Sequence, residues 1–133
     1  MNSLISGLTG NNPVIPPAKV TQDFESRFVD ALNIEWTLRD DYYEAIFYCE
    51  AREHIACYSK TGGIINHKIN ISPPVLPDKI RSTIDSRHEV MNVVEIYSAS
   101  GIVSYEIIAR DNNLMRFLFN IDSEGIVISK HSL

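Results

Sequence analysis

The sequence is short of the residues on which most specialised chemistry depends. It has two cysteines, Cys49 and Cys57, and without CxxC spacing they form neither a zinc site nor a redox motif. If the two faced each other across adjacent strands they could pair as a disulfide in an oxidising compartment; otherwise they pack as small apolar core residues. The four histidines, His54, His67, His88 and His131, show no H-x-x-x-H or H-E-x-x-H spacing. A Cys57–His67 approach across a hairpin is the one thiol–imidazole pairing that the order of residues allows, and a core cysteine beside a strand histidine is its ordinary reading. No phosphate-cradling loop and no GxSxG turn occurs. The expectation is therefore a protein with no catalytic residue, no metal and no cofactor, and not an enzyme.

Other absences narrow the partners. No apolar run is long enough to cross a bilayer. The basic residues Arg52, Arg81, Arg87, Arg110 and Arg116 are scattered in a chain of formal charge −5 and pI near 5.3. A nucleic-acid surface needs such residues concentrated, so neither nucleic acid nor membrane insertion is expected. Residues 1–20 lack a basic start followed by a continuous apolar stretch, the mark of an export signal.

What is present is an ordinary globular composition, 44% hydrophobic and 22% charged, enough for one domain with a real core. Pro13, Pro16 and Pro17 make residues 1–18 an extended lead-in. From Thr21 to Leu32, Phe24, Phe28, Val29 and Leu32 recur at helical spacing behind a capping threonine. Period-two alternation follows: a strand over Ile34–Leu38, one over Tyr43–Cys49, a turn at Ala51-Arg52-Glu53, a strand through Tyr58, the turn Ser59–Gly63, and a strand over Ile64–Ile71. The pattern then restarts. Leu76-Pro77 leads a second helix carrying Ile80 and Ile84, with strands over Val90–Tyr97, Ile102–Arg110, Leu114–Ile121 and Ile126–Lys130.

Residues 19–133 thus read as two tandem repeats, about 19–72 and 73–133. Their hairpins match at a shift of 62 residues, Tyr43-Glu44 on Tyr105-Glu106 and Gly63-Ile64 on Gly125-Ile126. The predicted fold is α+β: two helix-plus-antiparallel-strands units forming one sheet with two helices on one face. Strand parity places Ala45, Phe47, Cys49, Ile55, Cys57, Ile107, Phe117, Phe119 and Ile121 against the helices. The opposite, open face carries Ile46, Tyr48, Tyr58, Ile108, Arg110, Arg116 and Leu118. Its mixture of aromatic, aliphatic and basic side chains is typical of binding interfaces. The predicted function is protein–protein binding through that face, to a protein partner or a second copy of the chain. The alternative is a small-ligand carrier or enzyme with a pocket between helices and sheet.

Short motifs point the same way. Leu76-Pro77-Asp78-Lys79-Ile80 with Ile84 resembles the helix opening of the PepSY-like family of predicted periplasmic proteins of Bacteroidetes, whose tandem units are similar to β-lactamase inhibitor protein. Tyr43–Phe47 through Tyr58–Gly63 resembles that family's hairpin, and Phe24 to Trp36 its helix running into a strand tryptophan. The resemblance covers residues 20–131. It implies a helix-covered antiparallel sheet, an inhibitor-like binding role and a periplasmic location. Lys60 departs from the acidic residue usual at its position, which Asp122 keeps.

Overall fold

The computed structural model describes residues 13–133; the first twelve residues of the expected lead-in lie outside it. The chain divides into two compact units between Ile69 and Asn70. In the first, helix α1 (Ala18–Arg27) precedes strands β1 (Leu32–Arg39), β2 (Tyr42–Cys49), β3 (Arg52–Ser59) and all but the last two residues of β4 (Ile64–Ile71). In the second, a 3-10 turn at Pro73–Val75 and helix α2 (Asp78–Arg81) precede β5 (Glu89–Ser98), β6 (Val103–Arg110), β7 (Arg116–Asp122) and β8 (Val127–Ser132). Within each unit every strand whose register is resolved pairs antiparallel with its sequence neighbour.

All eight predicted strands are present, but the α+β expectation is overturned. The protein is mainly β, with about 14% helix, and two helices do not cover one face of a sheet. The four-residue α2 stops early for a local reason. Ser82 and Thr83 turn their hydroxyls back onto the carbonyls of Lys79 and Ile80, and Asp85 accepts from the Arg87 amide. Such side chains compete with the next helical turn for its backbone groups. The two units therefore open on unequal helices: one carries a ten-residue helix, the other a single turn.

Helix α1 also differs from its predicted span. Pro17 sits at its N-cap and fixes the entry, so Thr21 lies inside the helix and donates to the Ala18 carbonyl. The helix ends at Phe28, and Leu32 passes into β1. Its buried face, Val20 and Phe24, packs on Ala45, Phe47, Ala56 and Tyr58. Phe24 meets Phe47 edge-on at 4.9 Å and Trp36 at 5.2 Å, the offset geometry that aromatic quadrupoles favour.

Two turns decide which side chains share a face. In β2–β3, Cys49 pairs with Arg52 and leaves only Glu50 and Ala51 in the loop, not the expected Ala51-Arg52-Glu53. Both loop residues have positive φ, 52° and 61°, as a two-residue hairpin of this hand requires. In β6–β7, Arg110 pairs with Arg116, and the Asp111 amide bonds the Met115 carbonyl, leaving Asn112, Asn113 and Leu114 at the tip. That tip is one residue longer, so the shift between units is 62 on the first hairpin strand and 63 on the second. Gly62, not Gly63, matches Gly125. Each closes a turn with positive φ, and a Cβ there would meet Lys19 Cβ at 3.0 Å or the Lys79 carbonyl at 3.2 Å.

Two stability predictions follow from these turns and this core. Phe24→Ala should destabilise the protein by about 3–5 kcal/mol in urea unfolding, from lost burial and the cavity left behind. Ala51→Gly should have the opposite sign. It relieves a left-handed backbone that costs a non-glycine residue about 1–2 kcal/mol, so the same assay should show a gain of about 1 kcal/mol.

Candidate functional site

A two-residue loop pairs odd residues of β2 with even residues of β3. Tyr43 lies opposite Tyr58, Ala45 opposite Ala56 and Phe47 opposite His54. The helix-facing side of β3 is therefore His54, Ala56 and Tyr58, and the parity expected for that strand is inverted. Tyr58 does not belong to the open face: it is fully buried beneath α1. Its hydroxyl donates to Asp23 Oδ2 at 2.6 Å. Burial and that bond push the Tyr58 pKa above its usual value.

Ile55 and Cys57, expected against the helices, instead pack with Ile46 on the other face. Cys57 pairs with Asn66, whereas His67 pairs with Ala56 on the helix side; the Cys57–His67 dyad does not form. Cys49 packs on the helix side and both thiols are free, so no disulfide joins them. Burial raises the Cys57 pKa to about 11, which makes it an unreactive thiol near neutral pH. Between α1 and the sheet lies the apolar cluster of Val20, Phe24, Ala45, Phe47, Ala56 and Tyr58.

The remaining predicted residues separate by unit. In the first, Ile46 is buried and Tyr48 is 41% exposed. Tyr48 lies opposite Glu53, a residue that sequence reading passed over as a turn. Glu53 is 4% exposed and neither carboxylate oxygen has a hydrogen-bond partner, so burial raises its pKa.

In the second unit the longer tip preserves parity, and four predicted residues come together. Ile108 pairs with Leu118, and Arg110 with Arg116 on the same face. Ile108 and Leu118 are half-buried and Arg116 is exposed. Arg110 donates to Glu89 Oε1 at 2.6 Å. Beside Arg116, the exposed Leu114, Met115 and Leu133 line a shallow cavity of about 300 Å³. These three were missed because strand parity says nothing about a turn tip or a chain end.

A second cavity of about 550 Å³ is bounded by Arg81, Ser82, Ile84, Asp85, Ser86, His88 and Val90. Its carboxylate is already engaged, since Arg87 holds Asp85 well below the usual carboxylate range. Among the described residues, no group of three or more His, Cys, Asp or Glu could hold a metal ion. No helix among them is long and apolar enough to cross a membrane.

The chain matches no family model and no curated protein. Solved structures do match. A DUF2874 family protein from Bacteroides ovatus superposes with a TM-score of 0.81 at 18% identity, over 90% of this chain and 89% of that one. The fold is that of Bacteroides DUF2874 and BLIP-like proteins. A second DUF2874 protein, from Bacteroides uniformis, gives 0.80 at 14% identity over 89% and 90%. A BLIP-like protein from Bacteroides fragilis gives 0.78 at 12% over 90% and 88%. At such identities the likeness is one of fold alone.

The Tyr58–Asp23 bond gives a measurable consequence. Burial disfavours the Asp23 charge, but bonds from Tyr58 and Arg27 outweigh it and the pKa falls. A carboxylate with a lowered folded pKa stabilises above its unfolded value, near 3.8, and that contribution is lost as pH drops through the folded value. Tyr58→Phe should therefore cost about 1.5–3 kcal/mol at pH 7, as for a hydrogen bond to a charged group. In thermal unfolding the deficit should shrink as the pH is lowered past the unfolded value near 3.8 and through the lower folded one.

Proposed function

We propose that the chain is a non-enzymatic, inhibitor-like protein-binding module whose contact surface is the Ile108–Leu118 and Arg110–Arg116 block of its second unit. One observation carries the reading. Two arginines directly opposite each other on a sheet repel, a pairing that costs stability, yet here they border the half-buried Ile108 and Leu118, and Arg116 lines a shallow cavity with the exposed Leu114, Met115 and Leu133. Glu89 offsets Arg110; Arg116 is exposed and available to a partner carboxylate. The partner fitting this surface presents an acidic group beside an apolar side chain, the combination that arginine-rimmed interfaces recognise.

The fold likeness to a BLIP-like protein supports a binding role by analogy. The PepSY-like motifs support the same role and a periplasmic site of action. A second copy of the chain fits the surface less well, because two copies related by a two-fold axis would bring the arginine pairs together.

The test is quantitative cross-linking and affinity capture with the wild-type chain and an Arg110→Glu/Arg116→Glu variant. The partner is expected to be lost from the variant by at least about tenfold, the scale of a desolvated charge contact. A partner retained equally by both proteins would overturn the assignment.

A further inference from the structure

The most unusual cluster in the described residues is on the helix side of the first unit. His54 and His67, on neighbouring strands, bring Nδ1 and Nε2 to 2.8 Å. The ring planes are nearly parallel, 16° apart, with centroids at 5.0 Å. Phe47 stacks on His54 at 5.2 Å, and Phe28, at the end of α1, meets His67 edge-on at 4.8 Å. His54 Nε2 lies 3.2 Å from the Cys49 carbonyl.

These contacts fix the protons. A carbonyl only accepts, so His54 Nε2 carries a hydrogen and, in the neutral ring, Nδ1 is an acceptor. His67 Nε2–H is then the donor between the rings. Adding one proton is compatible with the geometry, since an imidazolium donating to an imidazole is a charge-assisted bond. Adding a second is not: hydrogens on both facing nitrogens cannot share 2.8 Å.

We propose that His54 and His67 form an acid-operated latch that holds the end of helix α1 on the sheet and releases it when the pair takes a second proton. Phe28 is the mechanical link, because it touches both His67 and Phe47 and is the C-cap of α1.

The surroundings oppose charge on the pair. Burial lowers both imidazole pKa values, His67 to about 4 with a further push from His54. Against burial, the bond to the Cys49 carbonyl favours the His54 cation; Arg52, at the start of β3, disfavours it, and Glu50 in the β2–β3 turn favours it. The helix acid Asp23 is engaged with Arg27 and Tyr58. Beyond the helix, Asp30 acts on Cys49, whose own pKa is raised by burial first, then by Glu50 and Asp30. Lys68 pairs with Ile55 on the other face. A histidine with a depressed folded pKa stabilises the fold above its unfolded value near 6.5, and this is lost as pH falls from 6.5 toward 4. The window lies above that of Asp23, whose pKa is below 3.8.

The test uses the full chain between pH 7 and 4. Imidazole nitrogen NMR reads the protonation of each ring, while amide-exchange protection and Trp36 emission read the seating of α1. Trp36, the single tryptophan, lies 5.2 Å from Phe24 of that helix. At neutral pH the His54 ring should show the Nε2–H tautomer. Between pH 6.5 and 4 the protection of α1 should fall tenfold or more, while β6 and β7 keep theirs. His67→Gln, which donates to His54 Nδ1 without titrating, should keep α1 protected in acid and so separates the latch from Glu53 on the opposite face. Protection constant within twofold from pH 7 to 4, or a His67→Gln protein that loosens like the wild type, would overturn the proposal. Should that variant not fold, two rings titrating independently at ordinary histidine values in the wild type would overturn it equally.

Discussion

The two-residue turn at Glu50 and Ala51 is the constraint on which the first unit depends. It pairs Cys49 with Arg52, and that register sends His54, Ala56 and Tyr58 to the helix and Ile55 and Cys57 away from it. A loop one residue longer would reverse every side chain of β3, because side chains alternate with period two. The aromatic cluster around Phe24 and Phe47 would then lose Tyr58, and the Asp23 bond that joins helix to sheet would have no donor. The turn holds two non-glycine residues in left-handed backbone, so the register is bought at some local strain. Packing beneath α1 must over-determine it.

The second unit shows the same principle with the opposite outcome. Its three-residue tip is organised by Asp111, whose Oδ1 accepts from the amides of Asn113 and Met115, and Leu114 supplies the left-handed position. Parity passes unchanged from β6 to β7. Ile107 therefore faces the same way as Phe119, and Ile108 the same way as Leu118. His88 and Lys130 cover the Phe117 and Phe119 rings, a task that α1 performs for the first unit with its own aromatic residues.

This contrast explains how far the fold could be read from the residues. Alternation over Tyr43–Cys49 and Ile102–Arg110 is strong enough to locate strands, and Gly62, Gly101 and Gly125 mark turns. None of that reveals the length of the Glu50–Ala51 loop, since neither residue has a turn signature. The assignment of Tyr58 to the open face fails there, while Ile108, Arg110, Arg116 and Leu118 share one face because their tip happens to preserve parity. The second helix was over-read for a different reason. Ile80 and Ile84 have helical spacing and are both buried, but Ser82, Thr83 and Asp85 between and beside them prefer bonds to nearby backbone over another turn of helix.

The likeness to Bacteroides proteins at 12–18% identity is consistent with this division of labour. Apolar alternation and turn geometry fix a fold of this kind, and many sequences satisfy both. The side chains left over are free to vary, and they set what a given chain recognises. In this chain those leftovers are of two kinds. Arg116 with Leu114, Met115 and Leu133 lies outward, where a partner can reach it. His54 and His67 lie inward, against the helix end. The sheet itself does not require Arg116, His54 or His67: a valine or threonine in their place would satisfy a strand at least as well. Residues that the fold does not need, yet which are placed to meet a charge or a proton, are where function is best sought.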